Sequence, residues 1–174
     1  LVPLGILRRR RLAVGNTLMA CLGVVMTSGF FFLSLYFQQI LGYSALRTGA
    51  AIVPMTVLLA AGPLVAKRLL PRFGPRLLTL AGGMLTTAGM AWMSLLPDHS
   101  DYPARVLGPM LVTAAGIGLM MLPLAASATA GIETRYAGLA SGLFNTARQL
   151  GGAIGLAALV TIAATATRHS QLAS

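Results

Sequence analysis

The chain has 174 residues, of which 56% are hydrophobic and 9% charged. A soluble domain carries about 25% charged residues and a disordered segment is poor in apolar ones, so the composition excludes both and leaves a polytopic membrane protein. Lys+Arg number 13 against 3 Asp+Glu, a net charge of +10, but the cations stand between apolar runs, which argues against nucleic-acid binding and for topology signals.

Four arginines, Arg8 to Arg11, precede an uncharged run far too long for the apolar region of a cleavable signal. A span is about 20 residues long, and the run predicts a first one at 12–39, ending in the short turn Leu41-Gly42-Tyr43-Ser44. Arg47 and Lys67 bound a second span at 48–66. A third, 77–97, runs into the turn-rich Pro97-Asp98-His99-Ser100-Asp101. The fourth, 106–130, is closed by Glu133-Thr134-Arg135, and the fifth, 138–166, is interrupted only by Arg148. Each must be helical, because an isolated span in lipid satisfies its backbone internally, and the alternation of a barrel strand is absent. The expected fold is all-α: one polytopic transmembrane helical bundle with five spans over 1–174. The first residue is Leu1 rather than Met, so the chain is read as part of a longer one. Cys21, inside an apolar run, is expected to pack.

Charge sets the orientation. Arg8, Arg9, Arg10, Arg11, Lys67, Arg68, Arg72, Arg76 and Arg135 fall on one side; Arg47, Arg105 and Arg168 fall on the other. The first group marks the cytoplasm. The N-terminus is then cytoplasmic and the C-terminal end extracytoplasmic, with Asp98, Asp101, His99 and His169 outward. Tyr36, Phe37, Tyr43, Trp92 and Tyr102 fit an outer interfacial belt.

The inventory argues against catalysis. H-E-x-x-H, C-x-x-C and G-x-S-x-G are absent, the three acids lie in loops, and no two titratable groups share a span. No metal, cofactor or enzyme activity is expected.

Three segments stand out. In the first, 34–49, Gly42 and Ser44 form the turn, while Gln38 and Gln39 either hydrogen-bond to a neighbouring helix or ligand, or face headgroups. The second is an expected cytoplasmic loop, Lys67-Arg68-Leu69-Leu70-Pro71-Arg72-Phe73-Gly74-Pro75-Arg76. Gly74-Pro75 forces a turn. Its cations either serve as anchors to anionic lipid or helix carbonyls, or the loop locks neighbouring helices in one access state. The third is 137–155. Helical spacing there puts Gly138, Ser141, Gly142, Asn145, Arg148, Gln149 and Gly152 on one stripe. Gly138-x-x-x-Gly142 and Gly151-x-x-x-Gly155 permit close helix packing. Arg148 either faces the protein interior with Asn145 and Gln149 beside it, or snorkels. Mid-span Met26 and Phe31 either supply an adaptable apolar wall for ligands or simply pack.

With these motifs in order along the whole chain, 35–54, 72–76 and 137–155 resemble the fourteen-span drug:proton antiporters of the major facilitator superfamily. The resemblance implies the C-terminal half of such a transporter, starting after its two extra central spans. It implies a bacterial plasma-membrane exporter of small amphipathic compounds, driven by proton influx through alternating access. Its partners would be the lipid bilayer, protons, an amphipathic substrate and an N-terminal transporter domain. Arg72-Phe73-Gly74-Pro75-Arg76 resembles a degenerate copy of the superfamily's cytoplasmic loop motif, with Pro71 where many relatives have an acid. No span carries a carboxylate, so the proton-coupling acid is expected in the N-terminal domain. The alternative is a non-transporting membrane scaffold or regulatory fragment.

Overall fold

The computed structural model describes residues 10–95, 106–129 and 137–173. Every element among them is a helix. Helix α1 is Arg10–Leu35 and runs directly into a π-helical turn, Tyr36–Ile40; α2 is Ala45–Ser94, α3 Leu107–Thr129 and α4 Ala137–Ala173. All four α-helices are long and apolar enough to cross a membrane. Even the 23 residues of α3 reach about 35 Å at 1.5 Å per residue, enough for a hydrocarbon core of about 30 Å. The predicted loops around Pro97-Asp101 and Glu133-Arg135, with Arg8, Arg9, Tyr102 and Arg105, lie outside the described residues, as do the side chains of Arg10, Arg11, Arg168 and His169. The chain forms two compact units, Leu1–Leu33 with Gly131–Ser174, and Ser34–Ala130.

The second unit begins at the π-turn. Leu41 N donates to Tyr36 O at 3.1 Å and Tyr43 N to Phe37 O at 2.9 Å, which keeps the backbone paired while it reverses. Gly42 sits at φ 65°, in the left-handed region that lacks a steric penalty only for glycine. Ser44, in an extended conformation, caps α2 by accepting from Arg47 N.

Helix α2 corrects the sequence expectation. A polar loop was predicted over 67–76, but helical geometry continues through Phe73 and only Gly74 leaves it, at φ 70°, ψ 166°. The reason is local: Lys, Arg and Leu are good helix formers, and long basic stems let the charges reach water while the backbone stays paired. Gly74 occupies a region open essentially to glycine alone, and Pro75 then opens the next helical stretch, where its fixed φ and missing N–H are harmless.

The chain doubles back there. A straight helix would hold Gly62 and Gly82 about 30 Å apart. Instead a Cβ on Gly62 would overlap Gly118, and one on Gly82 would come within 2.6 Å of the Gly116 carbonyl oxygen. Gly116 and Gly118 are neighbours on α3, so α2 is a helical hairpin whose arms, 45–73 and 75–94, both pack on α3. Counted by arms, the described residues hold five segments of spanning length.

Small residues make these approaches possible. Gly89 lies against Thr113 and Pro109, and Gly116 against Thr86. Along the second arm, 82 and 89 meet progressively earlier parts of α3, so the two run antiparallel. The threonines in the seam are self-satisfied: Thr86 Oγ1 donates to Gly82 O at 2.8 Å and Thr113 Oγ1 to Pro109 O at 2.9 Å, so burying them leaves no orphaned donor. Met110, Ile117, Pro109 and Pro123 of α3, with Val106 just before it, are among the largest fully buried side chains.

In the first unit α1 packs on α4. Ala20 and Val24 meet Gly151 and Gly155, and Gly23 meets the Arg148 carbonyl and Gly152. Positions rise together on both helices, so α1 and α4 are parallel. Met19 and Leu22 of α1, with Ala140 and Phe144 of α4, are buried.

Candidate functional site

The α4 stripe that helical spacing predicts is divided between the α1 seam and an exposed face. Ala140, Phe144, Gly152 and the neighbouring Gly151 and Gly155 make the seam against α1, whereas Gly138, Ser141, Gly142, Asn145 and Gln149 are exposed. The two faces lie about a quarter turn apart at 100° per residue. A Cβ on Gly138 or Gly142 would meet nothing within 4 Å, so this pair is not at a helix contact among the described residues; a Cβ on Gly151 or Gly155 would collide with α1. Both pairs have the same spacing. Ala140 and Phe144 are buried, and only the second pair meets α1.

Arg148 stands at the border. Its carbonyl lies against Gly23, and its half-buried side chain turns back along the helix, where Nη2 donates to Asn145 Oδ1 at 2.9 Å. That bond satisfies one guanidinium donor of five and holds the amide and the cation as one polar patch, with exposed Gln149 next in sequence. Met26, half-buried, and Phe31, which packs edge-on to Phe32 with centroids 5.5 Å apart, lie on α1.

Gln38 and Gln39 belong to the other unit, on the exposed side of the π-turn. Gln38 Nε2 donates to Ser34 Oγ at 2.9 Å, a bond within its own helix rather than across helices. Sequence reasoning missed what lies behind this pair. Phe37 is fully buried and stacks on Tyr43, centroids 5.9 Å apart and planes 10° apart. The Arg47 guanidinium carbon sits 3.9 Å from the Tyr43 centroid, a cation–π contact of about 0.5–1 kcal/mol where exposed. The readable signal was an arginine four residues beyond a tyrosine. Among the described residues, Asn16 Oδ1, Ser28 Oγ, Tyr36 Oη and Thr48 Oγ1 are buried without a hydrogen-bond partner, each at a cost of about 1–3 kcal/mol unless another group reaches it.

Arg72 and Arg76 flank the α2 bend and are exposed, and Gly74 and Pro75 form the bend itself. All three acids of the chain lie outside the described residues, so none of the described cations has a carboxylate partner among them. The described residues hold no group of three His, Cys, Asp or Glu that could bind a metal.

These features define a polytopic helical membrane domain. Residues 1–156 match the Major Facilitator Superfamily, and the chain belongs to that superfamily. It is 41% identical over 163 residues to a cephamycin export protein of Amycolatopsis lactamdurans, covering 92% of this chain and 34% of the relative. It is 41% identical over 141 residues to a puromycin resistance protein of Streptomyces alboniger (79% and 28% covered), and 31% identical over 163 residues to a tetracenomycin C resistance and export protein of Streptomyces glaucescens (91% and 29%). The chain spans about a third of the length of these relatives.

Proposed function

We propose that the chain is the C-terminal part of a fourteen-span secondary exporter of small amphipathic compounds in a bacterial plasma membrane. The observation that carries this reading is the 41% identity to an export protein over 92% of the chain. The fold supports it: parallel α1 and α4 need an odd number of crossings between them, and α3 plus a twice-crossing α2 supplies three. A single-crossing α2 would make α1 and α4 antiparallel. The five crossings of the reading are 12–39, 48–66, 77–97, 106–130 and 138–166, with the hairpin bend between the second and third.

In this reading the N-terminal domain and this one rock about a central site. The Arg148–Asn145 pair with Gln149 offers a fixed cation and amides to a substrate's acceptors, while Met26 and Phe31 offer deformable apolar surface. The spans contain no carboxylate, so an intramembrane acid of the N-terminal domain carries the proton.

The test is efflux of a fluorescent amphipathic dye from cells expressing the full-length protein, with and without a protonophore. Protonophore-sensitive efflux is expected from the full-length protein, and none from vesicles holding only residues 1–174. Absence of efflux across amphipathic dyes and antibiotics would favour the scaffold alternative.

A further inference from the structure

The α2 bend carries a charge imbalance that transport does not require. Lys67, Arg68, Arg72 and Arg76 are all exposed there. The chain has 13 basic and 3 acidic residues, so at least 13 − 3 = 10 cations have no acid of this chain to pair with one to one. Because 67–73 is helix and not loop, these charges have a defined arrangement. Arg68 and Arg72 are one turn apart on one face, with Cβ atoms about 5–6 Å apart, and Lys67 lies a quarter turn away. That spacing lets two guanidinium forks converge on one phosphate, a planar bidentate geometry that arginine matches better than lysine.

The rest of the same turns is apolar, and Phe73 follows Arg72 by a quarter turn at 100° per residue. Ala66 is fully buried, Leu69 and Leu70 are half-buried, and Phe73 and Leu77 beside the bend are 52% and 53% exposed. Anchoring charge next to exposed aromatic and aliphatic surface is the chemistry of the membrane interface. A free phosphate would use the cations alone; a phospholipid uses both surfaces.

We infer that the α2 bend is a binding site for an anionic phospholipid, with the headgroup phosphate held by Arg68 and Arg72 and the acyl chains against Phe73 and Leu77. This site is independent of what the protein transports. Its occupant is a lipid rather than an acidic segment of the same transporter, and that rival is one outcome of the test.

The test measures binding of short-chain phosphatidylglycerol and phosphatidylcholine to the detergent-solubilised protein, both as 1–174 and at full length, by native mass spectrometry and lipid-induced thermal shift. Phosphatidylglycerol should bind at least tenfold more tightly. Removing two cations in Arg68→Gln/Arg72→Gln should weaken it about 25-fold, at roughly fivefold per cation, while Arg68→Lys/Arg72→Lys should recover part and Arg47→Gln none of the loss. Millimolar inorganic phosphate should not displace the lipid. Equal binding of the two lipids, or a preference that survives the double glutamine variant, would overturn the site. So would displacement by inorganic phosphate, which would mark a free-anion site. A preference present in 1–174 but absent at full length would assign the cations to acids of the remaining transporter instead.

Discussion

Arg148 concentrates the residue-scale argument. With the inner boundary near Ala140 it lies roughly 12 Å deep at 1.5 Å per residue, where facing lipid would cost about 2.5–3.5 kcal/mol. The structure gives it one internal partner, Asn145 Oδ1 at 2.9 Å, and places it between the α1 seam and an exposed face of glycine, serine and amides. In the full-length protein, Arg148→Ala should abolish or retune export without reducing membrane insertion. Arg148→Lys should rescue only partly, because a point charge cannot reproduce the fork. Export rates at matched protein level check this; full export by Arg148→Leu would mean the side chain only snorkels. Gly74 and Gly83 make a second residue-scale pair. Gly74 has φ 70°, while a Cβ on Gly83 would meet nothing within 4 Å. Gly74→Ala should lower stability by about 1–3 kcal/mol, and Gly83→Ala should leave it unchanged or raised, as read by thermal unfolding in detergent.

At the scale of elements, close helix approach is governed by where glycine meets backbone. A Cβ at Gly118 would come within 2.9 Å of Gly62 Cα, and one at Gly116 within 2.5 Å of Thr86 N. Gly118→Val should therefore force the first arm of α2 off α3, with a loss of about 1–3 kcal/mol from overpacking. Gly142→Val should be silent in residues 1–174, since it faces open space there. A cysteine-crosslinking yield between the arm and α3 separates the two results. The sequence made α1 and its turn legible because apolar run and helix end nearly together: the predicted span stops at 39, and the π-turn ends at Ile40. It misread 67–76 because hydropathy reports where a chain leaves the apolar core, not where its helix stops, and Lys67, Arg68 and Arg72 favour helix while carrying charge. Small-residue spacing was equally ambiguous on α4, where Gly138/Gly142 and Gly151/Gly155 look alike in sequence and only the second pair meets α1. The Phe37–Tyr43–Arg47 stack was hidden because it depends on a reversal at Gly42 that periodicity does not encode.

At the scale of the whole molecule, two independent arguments converge on topology. The first is parity. If both helices cross the membrane as proposed, parallel α1 and α4 put the start of α1 and the end of α4 on opposite sides of it. The second is charge: the proposed crossings would put Arg8 to Arg11, Lys67, Arg68, Arg72, Arg76 and Arg135 on one side against Arg47, Arg105 and Arg168 on the other, and the positive-inside rule would then make the first side cytoplasmic. Parity fixes whether the number of crossings is odd and charge fixes their sign, so one labelling experiment tests both. Cys21 is exposed and is first replaced by alanine. An impermeant thiol reagent applied from outside should then modify Ser100→Cys and Ser174→Cys, and spare Val2→Cys, Arg72→Cys and Thr134→Cys until the membrane is opened. Inversion of the whole pattern would overturn the charge argument and keep the parity. Labelling of Val2→Cys and Ser174→Cys from the same side would instead mean that α2 crosses once, and the hairpin at Gly74 would not exist in the membrane.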